Sequence, residues 1–126
     1  MKLGCVTIDS RDADALADFY QKLTGWTIRF TNTDGGKFVG LVNGDNGMIL
    51  LFQENDEYAP PVWPVTPGAQ QPMAHLDFHT DDLERDIAHA LACGARIAEA
   101  QYSDKWRVML DPAGHPFCIE ELPDAI

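Results

Sequence analysis

The chain has 126 residues, of which 45% are hydrophobic and 23% charged, as is typical of one folded globular domain and not of a disordered chain. Its 20 acidic residues against 9 basic ones give a formal charge of −11, which repels nucleic-acid phosphates and anionic lipid. We therefore expect neither nucleic acid nor a membrane as a partner.

The cysteines indicate the compartment. Cys5, Cys93 and Cys118 are odd in number, so they cannot all pair within one chain, and charged residues follow the amino terminus too soon for an apolar secretion signal. We therefore expect a reduced protein in the cytoplasm.

The first 53 residues predict one strand, one helix and three further strands. A short strand begins at Val6, and Asp12 is a suitable cap for a helix that ends near Gly25. The helix carries apolar residues at i, i+3, i+4 and i+7, the spacing of one buried face. Turn residues separate three more predicted strands, at 27–31, 38–43 and 48–53.

The second half repeats this order. A strand at 75–79 is followed by a helix that starts with Asp81 and Glu84 and ends near Gly94. Its apolar stripe consists of Leu83, Ile87, Ala90 and Leu91. Three more strands are predicted at 95–98, 106–110 and 117–119.

The chain is thus predicted to be a single α+β domain, 1–126, made of two βαβββ modules. Module 1 spans 1–53 and module 2 spans 73–126. Between them, residues 54–72 contain five prolines, which exclude a regular helix or a central strand and predict a crossing loop.

Three segments carry a family resemblance. They are the motif Asp-x-Asp-x-Leu-x-x-Phe-Tyr-x-x-Leu-x-Gly-Trp at 12–26, His75-Leu76-Asp77-Phe78, and the turn and strand at 111–118. They resemble the vicinal oxygen chelate superfamily, which includes glyoxalase I, fosfomycin and bleomycin resistance proteins and extradiol dioxygenases. The Trp63-Pro64 loop and the strand at 106–109 look most like its glyoxalase-like domain branch. The resemblance implies a curved, half-open mixed sheet around a cavity.

The resemblance also implies four metal-ligand positions. Carried over to this chain, they are Cys5, Leu50 or its neighbour Phe52, His75, and Cys118. Only His75 is a residue that the metal-using members have there. Two interpretations remain open: the usual metal is missing and no cofactor is bound, or Cys5, His75 and Cys118 hold zinc or another divalent metal.

Alternation along the strand at 75–79 places His75, Asp77 and His79 on the cavity side. Asp77 is either a base or the partner of Arg107 or of a histidine. If the protein is an enzyme, Glu120 or Asp77 is the candidate catalytic base. His115 is expected to be exposed.

Aromatic and apolar residues suggest a pocket for a flat ligand. The predicted ligand-contacting residues are Phe52, Trp63, Asp77, Trp106 and Met109.

Three functions are compatible with these features. The first is a protein that binds a small aromatic or amphipathic molecule between the modules, without the usual metal. The second is a metal-dependent lyase, isomerase or thiol transferase of the same superfamily. The third is an interaction module. In each case we expect a homodimer.

Overall fold

The computed structural model describes residues 1–121. Contacts within the chain form two compact units, unit 1 from Met1 to Tyr58 and unit 2 from Ala59 onward. The division falls inside the predicted crossing loop, whose bounds of 54–72 stay a prediction.

Each unit contains one helix and one four-stranded mixed sheet in the described residues. In unit 1 the elements are β1 (Val6–Ser10), α1 (Ala13–Thr24), β2 (Thr27–Asn32), β3 (Phe38–Val42) and β4 (Ile49–Glu54). In unit 2 they are β5 (Leu76–Thr80), α2 (Leu83–Cys93), β6 (Arg96–Ile97), β7 (Trp106–Leu110) and β8 (Pro116–Glu121). The strand orders are β1-β4-β3-β2 and β5-β8-β7-β6, and neither sheet closes on itself. These elements confirm the α+β class and the two βαβββ modules.

The two sheets share one pairing pattern. The outer strand β1 runs parallel to β4, and β5 runs parallel to β8, while the other neighbours are antiparallel. Because residues paired across strands point to the same face, these registers divide each sheet into a helix-facing side and an open side.

Helix α1 begins and ends as predicted. The side chain of Asp12 accepts a hydrogen bond from the Ala15 amide at 3.0 Å, and Gly25 adopts the left-handed conformation with φ 75° after the last turn. Leu16, Phe19 and Tyr20 on the apolar face of α1 are buried. The Tyr20 ring stacks on the ring of Phe52 in β4, with 5.4 Å between the ring centroids.

Helix α2 corrects two predictions. Its cap is Asp82, whose side chain accepts from the Arg85 amide, whereas Asp81 binds the Arg85 guanidinium at 2.7 Å. Both residues are acidic and adjacent, so the residue pattern alone did not separate them. Leu91, predicted to be in the buried stripe, is 43% exposed.

The turn before β8 is organised by a buried carboxylate. Asp111 has no exposed surface, and its Oδ1 accepts hydrogen bonds from the amides of Ala113 and His115. Its Oδ2 also lies 2.9 Å from His115 Nδ1. His115 is therefore partly buried, which corrects the prediction that it is exposed.

Within the described residues, no helix is long and apolar enough to span a bilayer.

Candidate functional site

The open face of the unit 1 sheet carries an apolar depression, which we name the unit 1 groove. Its volume is about 410 Å³. It is lined by Gly4, Cys5, Phe30, Asn32, Phe38, Ile49 and Leu51. Five of these seven residues are hydrophobic or aromatic, with Cys5 counted as polarisable and apolar, so a ligand there meets mainly carbon and sulfur.

The aromatic wall of the unit 1 groove depends on a glycine. Phe30 pairs across the strands with Gly40, and a Cβ added at Gly40 would lie 2.2 Å from the Phe30 ring. The ring therefore lies directly over the glycine backbone. A residue with any side chain at position 40 would push the ring away from the sheet.

The open face of unit 2 carries polar groups instead. His75, Asp77 and Cys118 each offer a donor atom, and these atoms all lie within 4.8 Å of one another. His75 Nε2 is 3.1 Å from Asp77 Oδ1, and Asp77 pairs with Cys118 across the parallel strands β5 and β8. We call this set the His-Asp-Cys cluster.

Exposure differs within the cluster. The His75 and Asp77 side chains are 45% and 47% exposed, whereas Cys118 is buried at 8%. Burial raises the pKa of the Cys118 thiol to about 11, and the charge of Asp77, which also accepts the thiol's hydrogen bond, acts in the same direction. The Cys118 side chain is thus a neutral thiol at neutral pH.

A second polar pair lies two residues further along the same two strands. His79 and Glu120 are opposite each other in β5 and β8, with Nε2 and Oε1 2.9 Å apart. Glu120, the candidate base, is therefore held by a histidine. Trp106 of β7 is paired with Glu120, so its side chain is on the same open face.

Three rings form an aromatic cluster in unit 2. Tyr102 is in edge contact with Trp63 at 6.2 Å and in tilted contact with Trp106 at 6.1 Å between centroids. The structure thus brings the two predicted tryptophans into one cluster through Tyr102, a residue that the sequence analysis missed. Its position four residues before Trp106 in an irregular segment gave no periodic signal. The indole Nε1 of Trp63 is buried, with no hydrogen-bond partner among the described residues.

Two predicted ligand-contacting residues lie in cores. Phe52 has no exposed surface and stacks on Tyr20 of α1. Met109 is also fully buried, and it shares a strand face with Arg107, whose guanidinium reaches Glu84 of α2. Both predictions are corrected: these side chains face the helices.

The same register corrects a predicted metal position. Leu50 pairs with Val6 and Phe52 with Ile8, on the helix-facing side, while Leu51 pairs with Thr7 on the open side. The β4 residue between these two positions that is on the open face is therefore Leu51, a hydrocarbon without donor atoms.

The structure places the other predicted metal residues as follows. His75 and Cys118 lie together in unit 2, with Asp77 as the third donor. Cys5 is exposed in the unit 1 groove, and its membership of a metal site stays a prediction. Asp77 is paired with His75, in agreement with the alternative that it is the partner of a histidine. Arg107 is paired with Glu84.

A family model described as a glyoxalase-like domain matches residues 5–120. The chain belongs to the glyoxalase-like domain family. This confirms the resemblance to the vicinal oxygen chelate superfamily. No curated protein matches the chain significantly.

Solved structures of glyoxalase-like proteins share the fold. A glyoxalase family protein from Enterococcus faecalis has 22% identity and a TM-score of 0.72, over 95% of this chain and 97% of that one. The fosfomycin resistance protein FosX from Listeria monocytogenes has 12% identity and a TM-score of 0.70, over 98% and 95%. An antibiotic binding protein from Streptomyces sp. CB03234 has 15% identity and a TM-score of 0.66, over 98% and 97%.

A variant of the Listeria FosX is described in complex with Mn(II). Manganese prefers oxygen ligands. Here the β4 residue opposite Thr7 is Leu51, and the β8 residue opposite Asp77 is the thiol Cys118. Glu120, also on the open face of β8, is paired with His79. A hydrocarbon and a thiol at these two positions do not fit a hard, oxygen-coordinated ion.

Proposed function

We propose that this glyoxalase-like protein binds a small, flat, mainly apolar molecule in the unit 1 groove and acts by binding it. The observation that carries the proposal is the groove itself, a depression of about 410 Å³ with Phe30 and Phe38 in its lining. Small-molecule sites commonly have volumes of roughly 300–1,000 Å³ and combine apolar walls with few polar groups.

The lining favours binding over catalysis. Among the seven groove residues, Asn32 and Cys5 are the ones with polar or reactive side-chain atoms. None of the seven lining residues is a carboxylate or a histidine. An amide and a thiol can orient or contact a ligand, but general acid–base chemistry needs a titratable group near neutral pH. The groove thus provides apolar contact area and one amide for orientation.

The family supports this assignment. One neighbour with the same fold is described as an antibiotic binding protein, and another belongs to a glyoxalase, bleomycin resistance and dioxygenase group. An antibiotic-like aromatic or amphipathic compound is the ligand class we propose for this chain.

The test is a titration with a neutral apolar dye, N-phenylnaphthylamine, which fluoresces when it leaves water. We expect saturable binding to the full chain and at least about tenfold weaker binding to Phe30→Ala, equivalent to about 1.4 kcal/mol of lost contact. Leu51→Ala should also weaken binding. Leu91→Ala is the matched control, because Leu91 and Phe30 are both 43% exposed and Leu91 lies on α2. Equal dye affinity in the wild type and Phe30→Ala would refute the proposal.

A second candidate function is a metal-dependent lyase, isomerase or thiol transferase, favoured by the His-Asp-Cys cluster. In that function the metal would polarise a substrate oxygen or activate water at an open coordination position. Glu120, paired with His79 on the same open face, would hold or accept a proton. Metal analysis of protein prepared without chelator tests it: near-stoichiometric metal supports it, and less than about one tenth per chain opposes it.

We further propose that the chain is a cytoplasmic homodimer. Sedimentation of the purified chain across a range of concentrations tests the dimer, and a monomer at all concentrations would contradict it.

A further inference from the structure

The open face of unit 1 carries a carboxylate beside the unit 1 groove. Asp9 of β1 pairs with Gln53 of β4, and Gln53 pairs with Phe38 of β3. Because residues paired across strands point to the same face, all three side chains are on the open face. Phe38 lines the groove. Asp9 is two strands away from it, which corresponds to about 10 Å between the backbones.

A second path along the sheet joins Asp9 to the groove. Leu51, another lining residue, pairs with Thr7, which lies two residues before Asp9 on β1. One strand spacing and two residues along the strand separate Asp9 from Leu51, or about 8 Å between the backbones. A ligand whose apolar part covers Phe38 and Leu51 therefore reaches the carboxylate with a chain of a few atoms.

The Asp9 carboxylate is held in place by a fixed amide. Asn55 Nδ2 donates a hydrogen bond to Asp9 Oδ2 at 3.3 Å. The other end of the same amide, Asn55 Oδ1, accepts from the Glu57 backbone at 3.0 Å, and the Asn55 backbone donates to Ser10. The amide cannot turn away without losing these contacts, so the carboxylate is oriented before any ligand binds.

The protein supplies no cation to this carboxylate. Asp9 is partly buried, yet within the described residues no lysine, arginine or histidine forms an ion pair with it. Arg11, the basic residue nearest to it in the sequence, donates from Nε to the backbone oxygen of Tyr58 instead. A partly buried charge without a counter-charge is stabilised when a cation is supplied from outside.

We propose that the ligand of the unit 1 groove is a cationic amphiphile, an aromatic amine whose ring system covers Phe38 and Leu51 and whose ammonium group pairs with Asp9. This inference rests on the proposed function, because it takes the groove as the binding site. An ammonium bound to a carboxylate forms a charge-assisted hydrogen bond, which is stronger than one between neutral groups. The formal charge of −11 favours the approach of a cation and opposes that of an anion.

Three compounds with the same ring system and different charges test the proposal. They are naphthylethylamine, naphthylethanol and naphthylacetate, and each is titrated against the full chain loaded with N-phenylnaphthylamine. We expect the amine to displace the dye at least about fivefold more tightly than the alcohol, and the acetate at least about fivefold more weakly. Raising the ionic strength from about 20 mM to about 500 mM should reduce both differences, because salt screens the charges. Equal affinities, or a preference for the acetate, would overturn the inference.

Variants of Asp9 assign the preference to this side chain. Asp9→Asn keeps the shape and an oxygen for Asn55 but removes the charge, so the ratio of amine to alcohol affinity should fall close to one. Asp9→Lys should reverse the order, with naphthylacetate bound more tightly than the amine. Thermal unfolding of each variant checks that it is folded. A preference for the amine that survives in Asp9→Asn would refute the proposed contact.

Asp18→Asn is the matched control. It removes the same charge from unit 1, but Asp18 lies on α1, where its side chain is 56% exposed and pairs with Lys22 at 2.8 Å. The preference for the amine should be the same as in the wild type. If Asp18→Asn lowers the preference as much as Asp9→Asn does, the net charge of the chain causes it and the assignment to Asp9 is wrong.

The inference and the proposed function can fail separately. Dye binding that depends on Phe30, with equal affinity for the three compounds, would support the function and refute the contact with Asp9. A protein that shows no saturable dye binding would refute both.

Discussion

The packing of Phe30 on Gly40 predicts that a side chain added at position 40 destabilises the protein. The Cβ of an alanine at position 40 would lie 2.2, 2.4 and 2.7 Å from three atoms of the Phe30 ring. Carbon atoms in contact are normally about 3.5–4.0 Å apart, so the ring must move by about 1.3–1.8 Å. Gly40 has no positive φ, so its backbone accepts alanine, and the conflict is with the ring alone.

The energetic cost follows from the area that the ring loses. Phe30 is 43% exposed. A phenylalanine buries about 200 Å² when fully covered, so roughly half of that is covered here. Losing a third to a half of the covered area, about 40–55 Å², costs about 1–1.4 kcal/mol at 25 cal/mol per Å². For a chain of this size the melting temperature of Gly40→Ala should fall by roughly 3–6 °C.

A double-mutant cycle isolates the contact. In a Phe30→Ala background the ring is gone, so Gly40→Ala should be neutral or stabilise by up to about 1 kcal/mol, because alanine loses less backbone entropy on folding. Urea unfolding of the four proteins measures the coupling, expected at about 1 kcal/mol or more. If Gly40→Ala is equally destabilising in both backgrounds, the ring does not pack on Gly40 and the groove wall is wrongly described. Gly40→Ala alone should also weaken dye binding to the unit 1 groove.

Three more predictions concern unit 2. Asp82→Ala should lower the free energy of unfolding by about 1 kcal/mol because it removes the cap of α2. Asp81→Ala removes only an exposed ion pair and should cost less than about half of that. Equal losses of the two variants in urea unfolding would contradict the assigned cap. Asp111→Ala should lower the free energy of unfolding by about 2–3 kcal/mol, since two amides lose a buried acceptor. Asp111→Asn should lower it less because the side chain keeps one oxygen. A loss below about 1 kcal/mol for Asp111→Ala would show that water replaces the carboxylate. The pKa of Cys118 is raised from 9.0 to about 11 in the folded chain, so the thiol binds its proton more tightly when folded, and its contribution to stability is present below pH 9 and lost as the pH rises to about 11. The stability of the wild type relative to Cys118→Ala, measured by urea unfolding, should therefore fall between pH 8 and pH 10.5, and a difference that does not change with pH would contradict the shift.

Local patterns predicted the elements well, because caps and periodicity are properties of neighbouring residues. Asp12 and Gly25 bound α1 as expected, since a capping carboxylate and a left-handed glycine act within one turn. The choice between Asp81 and Asp82 depends on which carboxylate meets a free amide, and the residue pattern is the same for both.

The errors in the site came from strand phase. Trp106 and Met109 are three residues apart, so on one strand they point to opposite faces, and only one of them can meet a ligand on the open side. For Phe52 the deciding fact is its pairing with Ile8, a register between strands more than 40 residues apart that no local pattern contains. The contact of Asp77 with Cys118 depends on the register in the same way.

The repeated module explains why one half of this chain offers an apolar groove and the other a polar cluster. Asp12 and Asp82 cap equivalent helices, and counting back from each cap pairs Cys5 with His75 and Thr7 with Asp77. Across the parallel strands, Leu51 of β4 lies opposite Thr7, just as Cys118 of β8 lies opposite Asp77.

The backbone pattern is the same at these positions, so the side chains alone decide the chemistry of each face. At the positions facing Thr7 and Asp77, unit 1 has a hydrocarbon, which an apolar ligand can cover, and unit 2 has a thiol beside a carboxylate and an imidazole. Leu51→Cys combined with Thr7→Asp and Cys5→His would place the three donors of unit 2 on the same strands of unit 1. If strand register is what creates the cluster, this triple variant should bind more Co²⁺ per chain than the wild type, with an added thiolate-to-Co²⁺ charge-transfer band in the near ultraviolet, and should lose dye affinity. A triple variant that folds and binds no more Co²⁺ than the wild type would show that the cluster needs more of its surroundings than the register provides.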